Sequence, residues 1–347
     1  ATDVGKFFGL YERRALYAWL VGKPYDVAML PEPARSFEAF KRDRSLPLPD
    51  VPFQMLTSLG LTQEHWMEIA RKAGWQMLRM NLNTFDRQCA YAVDGFTEMV
   101  AARLKDEREI AKARVMPYQL MVAYMAASRE VPHEVREALQ DAMEVALANV
   151  PAISGNVVIC PDVSGSMTSP VTGHRKGATS AVRCIDVAAL VAAAMLRQNP
   201  SAQVLPFECG VVNVALNPRD SVMTNARKLA SVGGGGTNCS APLEALNERR
   251  AKVDLVVFIS DNQSWMDARR HDRTGMMTEW KKLKRKNHNA KLVCIDIQPY
   301  GTTQAPEDRE ILNIGGFSDA VFEIVADFAN GRLGPEHWTG EIEKIEV

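Results

Sequence analysis

The stretch Pro161-Asp162-Val163-Ser164-Gly165-Ser166-Met167 decides how this chain is read. It follows Val157-Val158-Ile159-Cys160, an apolar run with the character of a buried strand. An Asp-x-Ser-x-Ser turn at the end of a strand gathers one carboxylate and two hydroxyls, and Gly165 relieves the crowding. The set is all oxygen, which suits a hard ion such as Mg²⁺ or another divalent cation. Alone the cluster is a weak signal, because Ser, Asp and Gly after a strand usually make no more than a turn.

Two later stretches strengthen it. Gly233-Gly234-Gly235-Gly236-Thr237-Asn238 offers a hydroxyl on a loop read as pliable. Val253-Asp254-Leu255-Val256-Val257-Phe258-Ile259-Ser260-Asp261-Asn262 is a second buried strand with an Asp at its carboxyl end. The carboxyl ends of parallel strands share one rim, where ligands bind. Three oxygen-bearing loops on that rim can surround one ion. The metal-ligand candidates are Asp162, Ser164, Ser166, Thr237 and Asp261, the carboxylates acting directly or through water.

The 347 residues suffice for two domains with their own cores. Net charge is −1, and each half is near neutrality, so any nucleic-acid site must be a local patch. The six cysteines form no Cys-x-x-Cys pair and have no His cluster beside them. Buried free thiols in a reducing compartment are expected, ahead of disulfides or zinc. Neither a signal peptide nor a membrane-length apolar run is seen, which favours the cytoplasm and no membrane partner. No initiator Met is present, so Ala1 need not be the true start of the polypeptide.

Residues 1–150 read as a helical module. Prolines break the first 60 residues repeatedly. Helices are then expected from Thr62 to about Met80, Thr84 to Ala92, Phe96 to Ala113, Pro117 to Ala127 and Pro132 to Ala148. Amphipathic helices with short connections suggest stacked pairs, as in solenoids. Pro151 to Gly155 reads as a linker. Over 151–330 strands are expected at 156–161, 202–208, 210–216, 253–260, 290–297 and 320–325. Helices are expected at 182–198, 220–231, 240–251, 275–288 and 307–314. That alternation means an α/β doubly wound parallel sheet. Residues 331–347 form a C-terminal tail.

The trio of loops resembles the metal-ion-dependent adhesion site (MIDAS) of von Willebrand factor A domains, which are Rossmann-like. With helices in front of it, the chain resembles the Ro family, RNA-binding proteins with a TROVE helical-repeat module, as a bacterial or phage-type member. The helical stretches that carry this are Gly74-Trp75-Gln76-Met77-Leu78-Arg79-Met80-Asn81-Leu82-Asn83-Thr84 and Val115-Met116-Pro117-Tyr118-Gln119-Leu120-Met121-Val122-Ala123-Tyr124. The others are the Asp162 turn and Ser260-Asp261-Asn262-Gln263-Ser264-Trp265. The resemblance implies a HEAT-like α-helical repeat module followed by an A domain that binds Mg²⁺. It also implies a non-catalytic protein of small non-coding, structured or misfolded RNA, with a nuclease or other RNA-processing protein as a further partner. The family's repeats close into a ring, and this chain holds too few helices for one. The resemblance then implies a chain that begins inside that module or a shortened relative with an open arc.

Candidate RNA contacts lie beside the metal turn. His174, Arg175 and Lys176 can clamp phosphate next to the cation; a solvated loop is the plain alternative. Trp265, Arg269, Arg270 and Arg273 follow Asp261 and combine a stacking ring with cations, against a core Trp beside a solvated helix end. The basic run Lys281 to Lys286 reads first as solvated helix surface. Ser164 and Ser166 have no candidate base, so they read as ligands rather than nucleophiles, and no enzyme activity is expected. A different class of function stays open: a metal-dependent protein-interaction module that grips a partner's carboxylate. A hydrolase using the cation to activate water ranks third.

Overall fold

The structure is a computed structural model that describes residues 13–172, 182–261, 275–299, 304–306 and 308–333. The chain divides into two compact units, residues 1–100 and 101–347.

The first unit is helical. Pro31 precedes α1 (Glu32–Arg42), whose Phe37 and Phe40 are buried. Thr62 caps α2 (Gln63–Lys72) in a reciprocal box with His65, as expected for a hydroxyl at that position. The helix expected to run on to Met80 stops at Lys72. Ala73 and Gly74 are extended, and the chain restarts as α3 (Trp75–Met80) and α4 (Leu82–Arg87). Edge-to-face rings hold this unit together: Trp66 on Phe85 at 6.3 Å and Phe85 on Phe96 at 5.6 Å. Helix α5 (Phe96–Leu104) ends before Asp106, which caps α6 (Glu107–Lys112) with its own carboxylate. The single helix expected from Phe96 to Ala113 is therefore two.

In the second unit, α6, α7 (Pro117–Ala126) and α8 (His133–Ala146) pack with one another and with the sheet's own helices. Glu144 accepts the backbone N–H of Val222 at 2.7 Å. The segment read as a linker is pinned, since Asn199 Oδ1 accepts the Ile153 N–H at 2.8 Å. Five parallel strands follow, in the order β2-β1-β3-β4-β5. They are β1 (Val157–Pro161), β2 (Gln203–Val204), β3 (Leu255–Ser260), β4 (Lys291–Asp296) and β5 (Ile311–Gly315). Every residue of β1 and β3 is buried, because helices cover both faces. Helix α9 (Cys184–Gln198) packs on β1 and β3 from one side. Helix α10 (Val222–Ala230) packs along α9. On the other face Val158, Cys160, Val256, Phe258, Leu292 and Cys294 form one core with Leu243 and Leu246 of α11 (Ala241–Glu248) and Trp280 and Leu283 of α12 (Gly275–Lys284). Alternation of side chains along each strand sorts them to the two faces.

Three expectations need correction. Where a helix is expected over 307–314, the described residues from Ile311 on form β5, whose Ile311 pairs with Leu292 in register. Residues 320–325, read as a strand, lie in helix α13 (Ala320–Ala329). Its buried Val321, Phe322, Val325, Ala326 and Phe328 trace one helical stripe, and a run of ten exceeds what a short strand needs. Residues 210–216 are not a named strand, and β2 is only two residues long. That segment meets the rest through a bridge between Phe207 and Val211 rather than a ladder.

All six cysteines are free. Cys160, Cys184, Cys239 and Cys294 are buried as expected, whereas Cys89 and Cys209 are exposed.

Candidate metal centre

Strand β1 lies between β2 and β3, so the chain leaves β1 to one side and later returns on the other. Such a reversal of strand order opens a crevice at the carboxyl ends of the two strands. Asp162 follows β1 directly and Asp261 follows β3 directly, so both carboxylates enter that crevice.

The Asp162 carboxylate is fully buried and orders the turn around it. Its Oδ1 accepts the Ser164 N–H at 2.8 Å, and its Oδ2 accepts the Ser260 hydroxyl at 2.7 Å. The hydroxyls of Ser164 and Ser166 stand 3.2 Å apart. Neighbouring ligands of an octahedral ion with ~2.1 Å bonds are separated by about 3 Å, so the two hydroxyls are spaced to share a cation.

Thr237 arrives on the glycine loop, and backbone contact brings that loop in. Gly234 N–H donates to Val163 O at 2.9 Å, and Gly165 N–H donates to Gly235 O at 2.8 Å. Gly233 has φ +87°, and a Cβ there would sit 2.1 Å from Val163 O. A Cβ on Gly165 would meet Gly234 O at 2.9 Å. Gly233 and Gly165 therefore serve close approach of the two loops. Glu208 braces the loop from the far side, its Oε2 accepting the Gly235 N–H at 2.7 Å. Thr237 itself is 1% exposed.

Electrostatics favour a cation here. Burial first, and then the negative charge of Asp261, push the Asp162 carboxyl up to about 6, although bonds from Ser164 and Ser260 act the other way. The groups that ease its charge are neutral donors. Asp296, the last residue of β4, is also pushed up to about 6, by burial and again by Asp261. The buried Asp162 carboxylate and the paired Ser164 and Ser166 hydroxyls of one turn are hard oxygen donors of the kind a divalent ion takes.

The model of the Ro60 von Willebrand factor A domain matches residues 156–329. The chain belongs to the Ro60 family. Among proteins similar to this Ro60-type chain is the "RNA-binding protein RO60" of Deinococcus radiodurans, 26% identical over 248 residues, covering 68% of this chain and 45% of that protein. A protein of the same description from Caenorhabditis elegans is 23% identical over 250 residues, covering 67% of this chain and 37% of its own length. The Ro60-type chain thus spans less than half the length of these curated relatives. The crystal structure of the Deinococcus radiodurans RO (RSR) protein superposes with a TM-score of 0.69 at 21% identity, over 87% of this chain and 60% of that one. It shares the fold: a helical N-terminal region followed by a parallel-stranded A domain.

In this Ro60-type A domain the turn of Asp162, Ser164 and Ser166 and the loop of Thr237 are joined by backbone bonds, and Asp261 is close enough to bias Asp162. His174, Arg175, Lys176, Trp265, Arg269, Arg270 and Arg273 lie outside the described residues. Sequence reading missed Ser260, Glu208 and Asp296. Asp296 had the same signal as Asp261, a carboxylate closing an apolar strand. Ser260 and Glu208 had none, since their roles depend on contacts across 98 and 27 residues of chain.

Proposed function

We propose that this chain is an RNA-binding protein of the Ro type without catalytic activity, taking small structured or misfolded RNA. Asp162, Ser164, Ser166, Thr237 and Asp261 would hold Mg²⁺ or another divalent cation at the crevice. The observation that carries this reading is the hydroxyl and carboxylate cluster at the β1–β3 crevice of a chain whose relatives are named RNA-binding proteins. Such an ion would supply positive charge where the crevice is otherwise acidic and would offset the repulsion of phosphate from the rim. Asp162 and Asp261 would hold it, directly or through water, together with the Ser164, Ser166 and Thr237 hydroxyls. Segments 173–181 and 262–274 continue from the metal-bearing turns, so His174, Arg175, Lys176, Trp265, Arg269, Arg270 and Arg273 are proposed as RNA contacts. A nuclease or other RNA-processing protein is the partner class that goes with this reading.

The test is binding of labelled hairpin and single-stranded RNA by the purified chain, in Mg²⁺ and in chelator, across a salt series. Binding that weakens steeply with salt, weakens in chelator and leaves the RNA uncut after prolonged incubation supports the proposal. Failure to bind RNA, together with Mg²⁺-dependent binding of an acidic peptide, would establish the protein-interaction module instead. Cleavage that disappears in Asp261→Ala would establish a hydrolase.

A further inference from the structure

Tyr124 of α7 meets two arginines from two other helices. The Arg136 guanidinium of α8 lies over its ring at 5.2 Å from the centroid, and that of Arg227 of α10 at 5.6 Å. Arg227 Nη2 also donates to the Tyr124 hydroxyl at 2.9 Å. Arg136 Nη1 donates to the carbonyls of Ala127 at 3.3 Å and Ser128 at 3.1 Å, closing the end of α7. Tyr124 and Arg136 are half-buried, and Arg227 is exposed.

The described arginines that pair with carboxylates in this unit are Arg103, Arg183, Arg197 and Arg332. Arg136 and Arg227 are not among them. Two like charges drawn to one ring repel each other, and a cation–π contact at an exposed site returns little against that repulsion. No described carboxylate pairs with either arginine to neutralise that charge. A guanidinium carries five N–H donors, and only part of each fork is used here. The unused donors suit bidentate contact with a phosphate. A guanidinium plane already ordered by an aromatic ring also offers a surface on which an unpaired base can stack.

We propose that Tyr124, Arg136 and Arg227 form a phosphate and base contact for single-stranded RNA, built from three helices rather than from the metal-bearing loops. This rests on the RNA-binding reading above and adds a place on the chain where RNA is held. Charge alone would also admit an acidic peptide. The planar stacking surface and the paired guanidinium forks favour a nucleotide.

The test uses the whole chain and a single-stranded RNA oligonucleotide of mixed sequence, titrated across a salt series. The variants are Arg227→Gln, the Arg136→Gln/Arg227→Gln pair and the Arg136→Lys/Arg227→Lys pair, each checked by circular dichroism. Removing one phosphate-binding cation should lower the salt slope by about 0.7, so the Gln pair should lower it by about 1.4. The Lys pair should keep the slope yet bind about tenfold more weakly, because an ammonium cannot reproduce the planar fork. Arg136 also caps α7, so Arg227→Gln, on an exposed side chain, is the variant that decides if the pair misfolds; it should lower the slope by about 0.7. Wild-type binding with unchanged slope in Arg227→Gln overturns the proposal and leaves the RNA-binding reading intact. Wild-type affinity in the Lys pair overturns the planar part of it. No RNA binding by the wild-type chain overturns both. Polyglutamate that binds the wild type more tightly than RNA does, and is released by the Gln variants, reassigns the site to an acidic peptide.

Discussion

The Ser260 hydroxyl donates to Asp162 Oδ2 at 2.7 Å and so ties the carboxyl end of β3 to that of β1. Both groups are buried, Ser260 at 1% and Asp162 at 0% exposure. Ser260→Ala leaves that carboxylate oxygen short of a donor. The loss of a hydrogen bond to a buried charged group should cost about 1–3 kcal/mol. Urea denaturation in chelator measures it. Stability equal to wild type would mean that the bond does not hold the crevice together.

Mg²⁺ binding should disappear in Asp162→Ala while the fold persists, because the residue sits at a strand end beyond the apolar core. Calorimetric titration and circular dichroism read the two parts. Undiminished Mg²⁺ affinity would remove this residue from the ligand set.

Burial, with Asp261 beside it, pushes the Asp162 carboxyl up to about 6 from a usual value of 3.8. Its folded-state pKa is raised, so its contribution favours folding below pH 4 and is lost as pH rises through about 6. Added Mg²⁺ should offset that loss at neutral pH. Protons compete with the ion, so Mg²⁺ affinity should fall as pH drops through the same range. Thermal melts at pH 5 and pH 7, with and without Mg²⁺, test the sign: the ion should raise the melting temperature more at pH 7.

Gly233→Ala should damage the metal centre from a distance in sequence. The new Cβ would stand 2.1 Å from Val163 O at φ +87°. Strain of this kind costs on the order of 1–3 kcal/mol. The loop would move away from the turn and carry Thr237 with it. A weaker Mg²⁺ affinity alongside a lowered melting temperature is expected; unchanged Mg²⁺ affinity would show that Thr237 is placed by something else.

The rim proposal has its own signature. Arg175→Ala with Lys176→Ala should flatten the salt slope for single-stranded RNA by roughly one to one and a half units. Trp265→Ala should cost roughly 1–3 kcal/mol with little change in slope if the ring stacks a base. Wild-type binding in all of these variants would move the RNA away from the rim.

The five ligand candidates and the strands before them were legible because the pattern is local. An apolar run followed by Asp-x-Ser-x-Ser, or by a single Asp, announces both the strand and the polar end that leaves it. The A-domain architecture followed from alternation of such runs with helices. Thr62 as a cap was legible for the same reason, since a hydroxyl needs only its next three residues to do that work.

Other features depended on what lies across space. The apolar runs at Ile311 and Val321 were exchanged between strand and helix, because either backbone can bury a short run, and only pairing with Leu292 made the first a strand. The close approach of Val163 O to Gly233 carries no local signal either, because the two lie far apart in the chain. Glu208, Ser260 and the Tyr124 arginine pair carry no sequence signature at all. The sequence by itself determined which segments end in oxygen-bearing side chains and that the strands among them belong to one parallel sheet. Tertiary structure alone decided which distant groups brace those side chains and which helices meet at Tyr124, because a hydrogen bond or a ring contact between residues far apart in the chain depends on packing that no local pattern encodes.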